Sequence, residues 1–259
     1  MKTTVNGVEI HYEIDGHGPW LTLSHSVGTS HAMWAPQMAA LTAHYTVLRV
    51  DTRGHGGSAS PPGPYHMRDL AGDVIALWDL LGVGKSHWLG LSMGGMIGQT
   101  LAISAPERLA RVVLANTTGR GPQNAAALWA DRAATARAKG MSAMVEGSLS
   151  RWFTEPYRLA NPAVMASVRA LIEGSNPDGY ADCCIAIGAV DTLAALLQVR
   201  LPVLIIGGDS DQATTPQMAQ ALHEHLVGSQ LCILEQAAHM SNFEQAERFN
   251  HAVLEFLAA

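Results

Sequence analysis

The stretch WLGLSMGGMIGQ, residues 88–99, ends an apolar run with a serine set among glycines: Gly90, Leu91, Ser92, Met93, Gly94. Trp88 to Leu91 read as the end of a buried strand, and Gly94 to about Ser104 as a helix. A strand that turns into a helix within one or two residues leaves the residue between them in a strained conformation. Small neighbours are then needed for the two elements to approach. The hydroxyl of Ser92 would project above the sheet.

Working outward, residues 2–14 read as two short strands joined at Asn6-Gly7, a hairpin signal. Further strands are expected at Leu21 to Ser24, Tyr45 to Val50, Ser86 to Leu91, Arg111 to Asn116, Val203 to Gly208 and Ser229 to Leu234. Helix-period segments separate most of them. Leu70, Val74, Leu77 and Leu81 form one stripe of a helix over Asp69 to Leu81, and a second helix is expected over Phe243 to Leu257. Such alternation predicts an α/β fold with a mostly parallel twisted sheet flanked by helices. Between about Gly121 and Arg200 the strand signal vanishes and the text turns alanine-rich, with breaks at Gly140, Asn161-Pro162 and Gly174 to Gly179. The expected organisation is a core of residues 1–120 and 201–259 carrying a helical cap, or lid, of residues 121–200.

Composition narrows the function classes. The chain has 259 residues, a formal net charge of -6 and 48% hydrophobic positions, enough for a sizeable core. Its sixteen Lys and Arg form no basic stripe, which excludes nucleic acid as the expected partner. The N-terminus has no apolar signal-peptide core and no window approaches a membrane span, so a cytoplasmic protein is expected. Oligomeric state stays open, with a homo-oligomer among the options. Cys183, Cys184 and Cys232 have no CxxC spacing and are expected to be reduced and mostly buried. Twelve histidines raise the question of a metal, but no HExxH or similar ligand spacing occurs, and none is expected.

A serine becomes a nucleophile only when a base removes its proton and an acid orients that base. The strand LPVLIIGG runs into DSDQATTP, and the last strand, LCILEQ, into AAHMSNFE. Asp211 and His239 therefore fall in loops at the same strand ends as Ser92, where open parallel sheets bind ligands. Asp209 is a rival acid, while His223 and His225 belong to a helix before the last strand. For the oxyanion, backbone N–H donors are expected at Met93 and, in the SHSVGTS loop, at Val27. His25 in that loop either touches substrate or holds loop backbone.

These motifs resemble the α/β-hydrolase superfamily and, within it, the bacterial 3-oxoadipate enol-lactonases. The likeness runs nearly end to end, through SHSVGTSHAMW, RVDTRGHGGSASPPGPY, GLSMGGMIGQ, APERLARVVLANT, WFTEPYR, NPDGYADCC and AAHMSNFE. It implies Ser92 as nucleophile, Asp211 as acid, His239 as base, Val27 and Met93 as oxyanion donors, and the 121–200 insertion as a lid. It implies a serine hydrolase of aromatic catabolism that opens an enol-lactone without a cofactor. His25 and the acidic Asp209 depart from the expected pattern.

A lactone bearing a carboxylate needs a cation in an otherwise apolar pocket. Trp129 and Arg132, three residues apart on one helical face, are candidates for a flat wall and a charged fork, with Trp152 as a further substrate contact. The alternatives are a carboxylesterase, a hydrolase of another small lactone or amide, and a ligand receptor on the same fold.

Overall fold

The computed structural model describes residues 1–259. Eight strands form one sheet: β1 (Lys2–Val5), β2 (Val8–Gly16), β3 (Trp20–Ser24), β4 (Thr46–Val50), β5 (Ser86–Leu91), β6 (Leu109–Ala115), β7 (Val203–Gly208) and β8 (Gln230–Leu234). Their order is β1-β2-β4-β3-β5-β6-β7-β8. From β4 to β8 every pairing is parallel, while β1 and β2 pair antiparallel and β2 continues antiparallel onto β4. Asn6 and Gly7 both adopt positive φ, 50° and 75°, as a two-residue hairpin turn requires. The central strands are buried on both faces and read as continuous apolar runs, with Leu21, Leu23, Leu89, Leu91, Val112, Val113 and Ile206 inaccessible or nearly so.

Twelve helices cover the sheet and its carboxyl edge: α1 (Ala35–Thr42), α2 (Met67–Leu81), α3 (Met93–Ser104), α4 (Ala125–Lys139), α5 (Val145–Trp152), α6 (Glu155–Ala160), α7 (Pro162–Glu173), α8 (Pro177–Gly188), α9 (Leu193–Leu196), α10 (Pro216–His225), α11 (Ser241–Glu244) and α12 (Ala246–Ala258). The expected stripe of α2 is buried at Leu70, Val74 and Leu77 and half-buried at Leu81. Gly82, at φ 70°, ends that helix in the left-handed conformation.

Two local expectations are corrected. The helix expected over Phe243 to Leu257 is two pieces, because Gln245 leaves helical geometry at φ -127° and ψ 46°. The turn of α11 is held by the Glu244 carboxylate, which bonds Ala238 and Thr154. The break expected from Gly174 to Gly179 is shorter, since Asn176 caps α8 and Gly179 lies inside its first turn. The chain leaving β6 is gathered again by a bridge between Arg120 and Asp191 and by Thr192 N–H donating to Gly119 O. The helical excursion is thus pinched between Gly119–Arg120 and Asp191–Thr192, and α9 packs back against α3 and α10.

The chain runs from β3 outward to β4, then returns across β3 to start β5. At such a reversal the loops after the two strands diverge and open a crevice at the carboxyl edge. The loops after β3 and β5 carry Val27 and Ser92.

Candidate active site

Ser92 sits between β5 and α3 at φ 57° and ψ -112°. The strain is held from both sides: Ser92 N–H donates to Ala115 O at 2.9 Å and Thr117 Oγ1 donates to Ser92 O at 2.7 Å. The flanking glycines are steric necessities. A Cβ on Gly90 would lie 2.1 Å from Gly94 O, and one on Gly94 would lie 2.1 Å from Ser24 O. Trp88 Nε1 donates to Gly94 O across the same junction at 3.1 Å.

Asp211 and His239 reach this point from the loops after β7 and β8. His239 Nδ1 lies 2.9 Å from Asp211 Oδ2, and both side chains are buried. The Asp211 carboxylate also accepts from Ala213 N–H, Thr214 N–H, Thr214 Oγ1 and Asn116 Nδ2, at 2.8 to 3.1 Å. Burial alone would raise its pKa, but His239 and these donors reverse the effect, and the carboxyl sits below its usual value. With Asp211 accepting at Nδ1, the Nε2 of His239 is the nitrogen left for chemistry. Gly208 lets the two loops meet, since a Cβ there would lie 2.2 Å from Ala237 O.

The rival acid has another task. Asp209 accepts from Gln236 N–H at 3.0 Å and Ala237 N–H at 3.3 Å, shaping the turn that leads to His239. His223 and His225 lie on α10, as expected, with Ser229 Oγ and Ala221 O as partners.

The loop after β3 is held by imidazoles. His25 Nδ1 donates to Ser26 O at 2.8 Å and its Nε2 accepts Thr52 N–H at 3.0 Å. His25 is fully buried and outside the cavity, so a substrate contact is corrected to a loop-holding role. His55 Nε2 accepts Gly28 N–H at 2.9 Å. Asp51, fully buried, accepts from His11, from the ring and backbone N–H of His31, and from Gly57 N–H. Of the loop amides, Ser26, Gly28 and Thr29 N–H are engaged, whereas Val27 N–H has no protein partner. Met93 N–H is likewise free, between the bonded amides of Ser92 and Gly94.

Burial, reinforced by nearby His25, pushes the His55 pKa down to about 3. In the unfolded chain it would titrate at about 6.5. The unfolded state therefore binds the extra proton first, and the stability that neutral His55 contributes is lost as pH falls from about 6.5 to about 3. A His55→Gln variant, still able to accept from Gly28, should show a shallower fall of Tm between pH 7 and 4.5 than the parent. Parallel curves would show that His55 does not govern the acid limb.

A cavity of about 290 Å³ lies above Ser92 and His239. Val27, Met96, Leu128, Trp129, Trp152, Ile187, Val190 and Met218 supply its apolar wall, and Arg132, Arg151, Gln212 and Thr214 its polar groups. Trp129, Arg132 and Trp152, the candidate substrate contacts, all line this cavity. The Arg132 guanidinium lies 5.8 Å from the Trp129 ring centroid and donates to Tyr180 Oη and Ser148 Oγ, with no carboxylate beside it. Arg151, which the sequence did not single out, donates to Gly147 O alone, and burial together with the charge of Arg132 lowers its pKa. Two unpaired guanidiniums on an apolar wall favour an anionic ligand.

Asn116 was also missed. At φ 42° just past β6, it donates to Asp211 Oδ2 and Ala238 O while accepting from Ser241 Oγ, joining the acid loop to the histidine loop. Its position in LANTTG, at a strand's carboxyl end, was the available signal. His11, His31 and Asp51 are close enough together to hold a cation, yet the imidazoles and amides already satisfy both Asp51 oxygens.

A family model described as alpha/beta hydrolase fold matches residues 19–246. The chain is 39% identical over 252 residues to 3-oxoadipate enol-lactonase 2 of Acinetobacter baylyi, covering 96% of this chain and 93% of that protein. It is 32% identical over 256 residues to 3-oxoadipate enol-lactonase 1 of the same organism, covering 96% and 93%. The crystal structure of the enol-lactonase from Burkholderia xenovorans LB400 superimposes with a TM-score of 0.97 at 41% identity, covering 100% of both chains. With the sheet order, the strained serine and these matches in agreement, the chain belongs to the α/β hydrolase family and within it resembles the enol-lactonases.

Proposed function

We propose that the chain is a serine hydrolase that opens 3-oxoadipate enol-lactone to 3-oxoadipate through an acyl-enzyme, a step of the protocatechuate (β-ketoadipate) route of aromatic catabolism. The observation that carries this reading is the pairing of Ser92 and the Asp211-backed His239 with the unpaired Arg132 in one small cavity. The likeness to the enol-lactonases supports it. Ser92 Oγ attacks the ring carbonyl as His239 Nε2 takes its proton, and the oxyanion is received by the Val27 and Met93 N–H groups. Collapse breaks the ring C–O bond, and His239 returns the proton to the departing enol oxygen. That leaving group stays tethered, so re-closure competes until the enol tautomerises to a ketone. Water, deprotonated by His239, then attacks the acyl carbon; collapse breaks the bond to Ser92 Oγ, His239 returns the proton to that oxygen, and the second carboxylate is freed. Every proton and electron pair is accounted for without a metal or organic cofactor.

Loss of enol-lactone ultraviolet absorbance, run beside a neutral aryl ester, tests the reading. Far higher kcat/KM on the lactone is expected; preference for the ester would make the chain a carboxylesterase with the same triad. No turnover of either, with ligand binding retained, would make it a receptor. Arg132→Ala should raise KM for the anionic lactone by roughly tenfold to a hundredfold, the effect of a lost charge-assisted hydrogen bond. An equal rise for the neutral ester would remove Arg132 from carboxylate recognition.

A further inference from the structure

Two of the motifs quoted above, WFTEPYR and AAHMSNFE, meet in space. Helix α5 ends at Trp152, and Phe153 and Thr154 continue in extended conformation before α6. The Trp152 ring lies against the His239 imidazole, centroids 6.5 Å apart and planes 31° from parallel. Trp152 O accepts Met240 N–H at 2.9 Å. Thr154 donates twice to Glu244 Oε1, from N–H at 2.8 Å and from Oγ1 at 2.7 Å. The other oxygen, Oε2, accepts Ala238 N–H, immediately before His239. Tyr157 Oη completes the seam by donating to Phe243 O at 3.2 Å, and Phe153 packs between the Tyr157 and Phe243 rings.

Glu244 has no cationic partner. A half-buried carboxylate without a counter-charge persists only where several donors converge on it. Those donors come from two separate pieces of chain: the end of α5, which carries Trp152, and the loop after β8, which carries His239. Glu244 is the side chain that bonds both Thr154 and Ala238, the residue before His239.

We propose that Glu244 is a positioning residue that fastens the end of α5 to the His239 loop and thereby sets Trp152 against the imidazole. The assignment of His239 as base rests on the function proposed above; the fastening itself does not. In this arrangement the helical excursion is fixed at its α5–α6 edge, next to the base. The indole stands beside the ring, so loosening the end of α5 would let both the indole and the His239 loop shift. A displacement of about 1 Å at a proton-transferring group can lower turnover by up to a hundredfold.

The test uses Glu244→Gln, Thr154→Ala and Thr154→Ser. Glutamine keeps one acceptor oxygen and turns its NH₂ toward either the two Thr154 donors or the Ala238 N–H, so it cannot serve both. Amide hydrogen exchange of a peptide covering residues 152–158 should quicken by about tenfold or more in Glu244→Gln and in Thr154→Ala, while a peptide within α2 is unchanged. Thr154→Ser, which keeps the hydroxyl, should retain the parent's protection. Turnover of the neutral aryl ester and of the lactone should fall together by about tenfold through kcat, with KM within about twofold.

Unchanged exchange in both disrupting variants would overturn the fastening, and faster exchange with undiminished kcat would overturn its role in positioning the base. A rise in KM confined to the anionic lactone would overturn it as well, since the residue would then act on binding. If Glu244→Gln does not fold, the Thr154 pair carries the test. Should the parent turn over neither substrate, the proposed function fails, whereas the exchange experiment still reads the fastening.

Discussion

Replacing Ser92 by alanine is expected to lower kcat on both lactone and aryl ester by about 10⁶-fold, the order found when a triad nucleophile is removed from serine hydrolases of unrelated fold. The fold should be untouched. Ser92 Oγ has no hydrogen-bond partner in the protein, and the backbone that strains the residue is held by Ala115 O and Thr117 Oγ1, neither of which needs the side chain. The informative result is therefore a pair of measurements: collapse of turnover with Tm within about 2 °C of the parent, a difference below 1 kcal/mol for a domain of this size. Substantial residual turnover, well above the 10³ to 10⁴ over water left by an oxyanion site alone, would remove Ser92 as nucleophile.

Gly90→Ala is expected to destabilise the protein by about 4 kcal/mol or more, among the largest effects of a single methyl. The added Cβ would lie 2.1 Å from Gly94 O, 2.3 Å from Gly94 C and 2.6 Å from Trp88 Nε1. Two of these are backbone atoms, so no rotamer relieves the overlap; strand and helix must separate and break the Trp88–Gly94 bond. A fall in Tm of about 8 °C or more follows at 2 to 4 °C per kcal/mol. Gly84→Ala is the control, because nothing lies within 4 Å of a Cβ there. A Gly90 variant as stable as the Gly84 control would show that the elbow glycines are not packing requirements.

Much of the site was legible because its parts lie at strand ends that local patterning marks. The apolar runs before Ser92, Asp211 and His239 are short and bounded by glycine or polar clusters, and each became a strand ending where expected. In a parallel sheet all carboxyl ends share one edge, so three residues far apart in the chain were placed on one rim without any contact being known. The pair Trp129 and Arg132 was legible through helical spacing. Side chains acting through non-local partners were not. Arg151 carries no local signal in the sequence and yet lines the cavity. Asn116 and Glu244 look like loop and helix polar residues, and only their partners at Asp211, Ala238 and Thr154 give them a role. His25 was ambiguous because its two acceptor and donor partners, Ser26 O and Thr52 N–H, come from different loops.

The sequence by itself determined the alternation of strand and helix, the elbow that strains Ser92, the order serine, aspartate, histidine, and the helical excursion before β7. These follow from local rules, hydrophobic period and the few residues that tolerate tight turns. Tertiary structure alone decided which nitrogen of His239 faces Asp211, which loop amides stay free, that Arg132 and Arg151 lack counter-charges, and that Gln245 interrupts the last helix. Hydrogen-bond pairing and charge compensation depend on what arrives from elsewhere in the chain, and a one-dimensional pattern carries no distances between such groups.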